Sequence, residues 1–292
     1  MIEVIEHHAL GLIASCAQVP SFTTFEDRLH PTILALAGRS TGVRVYSVLE
    51  RNLVVHIPGD GSRKPIALAA HLDKINHFGP DWKATLPVSV TDEVITGQMD
   101  DSVGLGMCLS MLAHAKTNHF PPIYLLLSEC EEGNGPKTHA EWMRDGGQTA
   151  QAGLGARRIS TWLLERKIFP EVIITIDTTP LFKGEKGLAI YTNHWEKNGT
   201  VPTDGLITAT EAAFRTFAEL HPGLLRYNNT NDYLVYGLEM NVHPGTPVVS
   251  VALEPAIYPY HQAGESVFIS DIEVLEELLV RFLNRSGISE EH

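Results

Sequence analysis

Short apolar runs alternate along this chain with longer stretches in which apolar residues return every third or fourth position. Ile66-Ala67-Leu68-Ala69-Ala70, PIYLLLS at 122–128, VIITID at 172–177 and TPVVSVA at 246–252 are continuous rather than alternating, as strands covered on both faces are. VRVYSV at 43–48 and LVVHI at 53–57 predict a hairpin, and 187–192 a further strand. Helical spacing falls between these runs, over about 26–38, 103–117, 155–168, 206–220 and 271–284. Strands alternating with helices predict an α/β fold, a mixed and largely parallel sheet flanked by helices on both faces. No repeat, low-complexity tract or Pro/Gly/Ser linker interrupts the pattern, so 1–292 is expected to be one domain. The least regular stretches, 72–99 and 193–205, read as polar loops of the kind that line sites.

Composition narrows the function classes. With 43% hydrophobic and 20% charged residues, the chain can bury a large core. A net charge of −13 opposes nucleic acid and anionic membranes and favours cationic substrates or bound metal ions. The start, MIEVIEHHALGLIASC, carries acids where a signal peptide needs positive charge, and no apolar run approaches the roughly 18 residues of a membrane span. A cytoplasmic location is expected. Cys16, Cys108 and Cys130 form no CxxC pair, and read as buried thiols rather than disulfide or thiolate-metal partners.

Candidate chemistry sits where apolar runs end. In an open α/β sheet the carboxyl ends of strands are where ligands bind. ALAAHLDK at 67–74 stops a buried strand on His71 and places Asp73 two residues on, a carboxylate near enough to hold the imidazole N–H. Asp100-Asp101 precede an apolar helix; one Asp suffices for a cap, and a second adjacent carboxylate needs something positive if both are enclosed. PIYLLLS runs into Glu129, Glu131 and Glu132, VIITID ends on Asp177, and His261 follows a proline-stiffened loop. GNGPKT at 133–138 lacks the spacing of a phosphate loop, and no GxGxxG accompanies it, so nucleotide binding is discarded. Two histidines and several carboxylates without thiolates suit a pair of divalent ions, Zn²⁺ with Co²⁺ or Mn²⁺ as alternatives. Such a pair lies about 3.5–4 Å apart and needs a bridging carboxylate and a nearby base.

The order H-x-D, D-D, E-E-G, D and a late His resembles the cocatalytic dinuclear-metal exopeptidases, the M28, M42 and M20 peptidase families. VPSFTTFEDRL at 19–29 is similar to the Pro-Ser plus Glu helix that opens M20 and M42 enzymes, and HQAGESVFISDIEVLEELL to their closing His-x-x-x-Glu segment and last helix. The resemblance implies a three-layer zinc-exopeptidase sandwich. It makes His71 and Asp177 ligands of one ion, Asp100 the bridge, and Glu132 and His261 ligands of the second. Glu131 then corresponds to the general base, Asp73 to the carboxylate behind His71, and Asp100-Asp101 to a non-proline cis peptide. Only 28 residues separate His71 from Asp100, and 83 separate Asp177 from His261, so neither an inserted β domain nor a lid domain is expected. The layout is then nearest to M28, while 230–262 reads more like M42, with Asn231-Asp232-Tyr233 where M42 enzymes have Gly-Thr-Asp-Ala. The implied function is an aminopeptidase on small peptides, with an N-acyl amino acid deacylase or dipeptidase as the runner-up and a non-catalytic metal-bound scaffold as the alternative of another class. A homo-oligomer is also open.

Overall fold

The computed structural model describes residues 8–133, 139–148, 150–242 and 245–285. The start of the chain at 1–7 and most of GNGPKT, 134–138, lie outside the described residues.

The strands are β1 (Arg44–Val48), β2 (Asn52–Ile57), β3 (Ile66–His71), β4 (Ser89–Val90), β5 (Val94–Gly97), β6 (Ile123–Ser128), β7 (Val172–Ile176), β8 (Leu188–Tyr191), β9 (Leu225–Tyr227), β10 (Val249–Pro255), β11 (Ile257–Tyr258) and β12 (Glu265–Phe268). The helices are α1 (His8–Ala17), α2 (His30–Ala37), α3 (Ser102–His114), α4 (Leu154–Glu165), α5 (His194–Asn198), α6 (Asp204–Leu220), α7 (Asp232–Glu239) and α8 (Ile269–Asn284). Eight strands form one mixed sheet in the order β1-β2-β6-β3-β7-β10-β8-β9. Its centre, β6-β3-β7-β10, is parallel, and the hairpin β1-β2 adds antiparallel strands at one side.

The continuous apolar runs are explained by burial on both faces. Leu68, Leu125, Ile174 and Val251 face a core shared with α1, α2, α3, α6 and α8, whereas Ala69, Leu126 and Ile173 face a second core with Ala156, Ile159 and Leu163 of α4 and Tyr236 of α7. This is the three-layer arrangement expected from the sequence. Helix α3 is buried along its length from Ser102 to Leu112, between α1 and the sheet. A Cβ on Gly104 would lie 2.2 Å from the Ile176 carbonyl, so glycine lets the start of α3 sit directly against the end of β7. That contact brings Asp100 and Asp101 to Asp177.

Several elements lie where the apolar pattern was silent. The segment 72–99, expected as a polar loop, contains β4 and β5, which join β11 and β12 in a separate antiparallel sheet. The other expected loop, 193–205, contains the short helix α5. Helix α1, although apolar, offers no strong amphipathic contrast, and α7 is only eight residues long. The stretch 26–38 divides into a 3-10 turn, Glu26–Leu29, and α2, with Pro31 in the first turn of α2. Lys74 is almost fully buried; its Nζ donates to the carbonyls of Cys16 and Val19 and to Ser21 Oγ, capping the end of α1. All three cysteines are buried and free, as expected. Among the described residues no helix is long and apolar enough to cross a membrane.

Candidate metal centre

Three parallel strands deliver side chains to one edge of the sheet. His71 ends β3, Asp177 directly follows β7, and Glu131 and Glu132 follow β6 within four residues. Asp100 enters from the turn before α3, and His261 from the loop after β11. The structure brings all six together. His71, Asp100 and Asp177 each offer a ligand atom within 4.8 Å of the others, as do Asp100, Glu132 and His261, and also His71, Glu131 and Glu132.

Asp100 is the shared member. Its Oδ1 lies 3.1 Å from His71 Nε2 and its Oδ2 lies 3.1 Å from His261 Nε2, so one carboxylate presents an oxygen to each histidine. Asp177 Oδ1 is 3.8 Å from His71 Nε2, and Glu132 Oε1 is 3.3 Å from His261 Nε2. The Asp100-Asp101 peptide is cis. The two neighbouring acids divide their work: Asp101 caps α3, accepting from Gly104 N–H, and its Oδ2 accepts the backbone N–H of His71 at 3.2 Å.

Charge crowds this edge. Against the effect of burial, hydrogen bonds from His261 and His71 hold the Asp100 carboxyl far below the usual carboxylate range. Burial and the Asp100 charge push Glu132 up to about 7 and raise Asp177, while burial and Glu132 raise Glu131 well above its ordinary value. His261, although partly buried, is lifted to about 10 by Asp100 and Glu132, and His71 is raised likewise by Asp100, Asp177 and Asp73. Two imidazoles and three carboxylates without a thiolate, with one carboxylate spanning two donor groups, could hold divalent metal.

The supporting residues differ in part from the sequence expectation. His71 Nδ1 is closer to the Asp73 carbonyl oxygen, 2.9 Å, than to its Oδ1 at 3.4 Å. The Asp73 carboxylate instead accepts from Thr23 Oγ1 at 2.8 Å and from the backbone N–H groups of Glu131 and Glu132 at 2.9 and 3.1 Å. Asp73 therefore steadies both the His71 strand end and the turn carrying the glutamates. Glu129, counted with the candidate acids, instead pairs with Arg51 at 2.8 Å and with Arg158, and Asn52 Nδ2 donates to it at 2.7 Å. Glu265 supports the site from behind. Its Oε2 accepts the backbone N–H groups of Met99 and Asp100 at 2.9 and 3.2 Å, fixing the Asp100 turn. The His-x-x-x-Glu spacing already singled it out, but not its partner. Asp232, at the start of α7, is buried and accepts from Ser128 Oγ at 2.6 Å; burial raises it to about 6.

No protein-family model matches the sequence, and no curated protein matches it. Solved structures do share its fold. An aminopeptidase from the archaeon Desulfurococcus kamchatkensis superposes with a TM-score of 0.66 at 15% identity, covering 96% of this chain and 95% of its own. The TET1 peptidase of Pyrococcus horikoshii, which assembles into a tetrahedron or a large octahedral shell, gives 0.63 at 12% identity over 94% and 99% of the two chains. Aminopeptidase PepT from Bacillus cereus gives 0.63 at 14% identity over 95% and 97%. The chain has the α/β fold of these aminopeptidases and this peptidase along nearly its whole length.

Proposed function

We propose that this fold serves a metal-dependent amide hydrolase, an aminopeptidase acting on small peptides. The observation that carries the reading is Asp100, one oxygen on His71 and the other on His261. In this reading His71, Asp100 and Asp177 hold one divalent cation, and Asp100, Glu132 and His261 the second, with Zn²⁺ preferred and Co²⁺ or Mn²⁺ acceptable. Bound there, the ions supply Lewis-acid polarisation of the scissile carbonyl and lower the pKa of water.

The chain's own residues do the rest. Glu131, beside His71 and Glu132 yet outside both three-residue donor sets joined at Asp100, takes the proton of the attacking water and returns it to the leaving amine. Asp73 keeps Glu131 in place through its backbone N–H, and holds the other ring nitrogen of His71 so that Nε2 faces the donors. The acidic edge attracts the free ammonium of a peptide, and residues 1–292 act as one catalytic domain without an inserted lid or β domain. Similarity in fold to peptidases named for aminopeptidase and tripeptidase activity supports this choice. The shells formed by the TET1 peptidase make a homo-oligomer part of the proposal, which size-exclusion chromatography reads directly.

The deciding experiment is a panel of aminoacyl amides, dipeptides and N-acyl amino acids offered to protein reconstituted with Zn²⁺ or Co²⁺. Hydrolysis of substrates with a free α-amine supports an aminopeptidase. Turnover of N-acyl amino acids alone moves the assignment to a deacylase, and stoichiometric metal binding with no turnover to a non-catalytic scaffold.

A further inference from the structure

Glu26 lies in the turn Glu26–Leu29, far from Cys130 in sequence, and is completely buried. Its carboxylate is fully used. Oε1 accepts the backbone N–H of Thr24 at 2.9 Å and of Cys130 at 3.2 Å, and Oε2 accepts from Arg51 Nε at 2.6 Å. The next two amides, Glu131 and Glu132, donate to Asp73. Three consecutive N–H groups thus end on two buried carboxylates that come from different parts of the chain. Cys130 itself sits at φ 57, the left-handed region, which a non-glycine residue occupies at a cost and keeps only where its surroundings fix it. Asp73 holds the two peptides after Cys130; the peptide before it is held by Glu26. Removing that acceptor leaves a buried N–H unpaired and lets Cys130 relax, rotating the segment that aims both glutamates.

We infer that Glu26 is a positioning residue for the Glu131–Glu132 pair, acting through the N–H of Cys130, an inference that rests on the roles proposed above for those two glutamates. It belongs to none of the three donor groups of the cluster. A merely structural Glu26 would anchor Arg51 and leave the site's chemistry unchanged.

The test compares Glu26→Ala, Glu26→Asp and the double variant Glu26→Ala with Cys130→Gly in the full chain, titrated with Co²⁺ alone and assayed on an aminoacyl amide. Expected for Glu26→Ala is a Co²⁺ affinity weakened about 10- to 100-fold at one of two equivalents, with kcat reduced by a similar factor and KM changed much less. Adding Cys130→Gly should recover part of both, because glycine adopts positive φ without the penalty. Two unchanged Co²⁺ equivalents with unchanged kcat, whatever the melting temperature does, overturn the inference, as does a loss that Cys130→Gly leaves untouched. If Glu26→Ala does not fold, Glu26→Asp carries the same test: it keeps a charge for Arg51 but is one methylene short of the Cys130 amide. Wild-type protein that binds Co²⁺ and hydrolyses no amide refutes the proposed function, while the Co²⁺ titration still decides whether Glu26 positions Glu132.

Discussion

Adjacent glutamates with one spacing and one type have different expected roles, and the difference is measurable. Glu131→Gln should retain two metal equivalents and lower turnover by about two to four orders of magnitude, as loss of a general base does. Glu132→Gln should instead weaken metal binding, since Glu132 Oε1 faces His261 at 3.3 Å. Metal analysis beside kcat checks both, and the assignment is lost if Glu131→Gln sheds an ion and Glu132→Gln does not. Which residues would meet was legible because each proposed donor ends or follows a buried strand, or flanks the α3 start. What each supporting atom does was not. The H-x-D spacing puts both the carbonyl and the carboxylate of Asp73 near His71, and only the folded turn shows that the carboxylate serves Glu131 and Glu132. Glu129 was indistinguishable from its neighbours in sequence because its partners, Arg51 and Arg158, come from β2's approach and α4.

At the level of the element, the turn into α3 separates a cap from a ligand. Asp101→Ala removes an acceptor from Gly104 N–H and from His71 N–H, and should cost about 1–2 kcal/mol in urea unfolding. Asp101→Asn retains a capping oxygen and should lose less. Asp100→Asn should show itself in metal binding, as loss of the oxygen donor proposed to be shared between the two cations, read by metal titration. Buried strands announced themselves because burial on both faces writes an unbroken apolar run. The elements that escaped notice did so for physical reasons. Strands β4, β5, β11 and β12 are two to four residues long, too short for a period to show, and the pairing of β5 with β12 joins residues about 170 positions apart, as between Thr96 and Ser266.

For the molecule as a whole, the crowded acids make stability depend on protons and, if the proposed metal centre forms, on cations. In metal-free protein Glu26 and Glu132 are raised to about 7, Glu265 to about 8 and Asp232 to about 6, all chiefly by burial. A carboxyl whose folded value is raised keeps a proton that the unfolded chain has released, so stability falls as pH climbs from the ordinary range toward 8. His261, raised to about 10, acts in the same direction: its contribution is complete below 6.5 and is lost as pH rises toward 10. The melting temperature of chelated protein should therefore be lower at about pH 8 than at about pH 5.5. Zn²⁺ or Co²⁺ in the proposed site would displace the protons of Glu132 and His261, so the stabilisation on reloading, about 2.7 kcal/mol for free metal at 100 times its Kd, should raise the melting temperature more at the higher pH. Calorimetry of chelated and reloaded protein at both values checks this. Equal melting temperatures with and without chelator, together with unchanged activity, would remove the metal centre from the account.

The strand order β7-β10-β8-β9 has a consequence for synthesis. Strands β7 and β8 find β3 and β9 as neighbours on one side, but the other edge of each waits for residues 249–255, because β10 pairs with both. Until then the apolar edges of Val172–Ile176 and Leu188–Tyr191 stay open, and a chain arrested at 248 exposes two templates for pairing with other chains. His261 arrives later still, so a nascent chain cannot complete the proposed bridged site before nearly the whole sheet has closed. A ribosome-bound series of increasing length should show aggregation and chaperone dependence ending abruptly once β10 has cleared the exit tunnel, with metal capture following it and not preceding it.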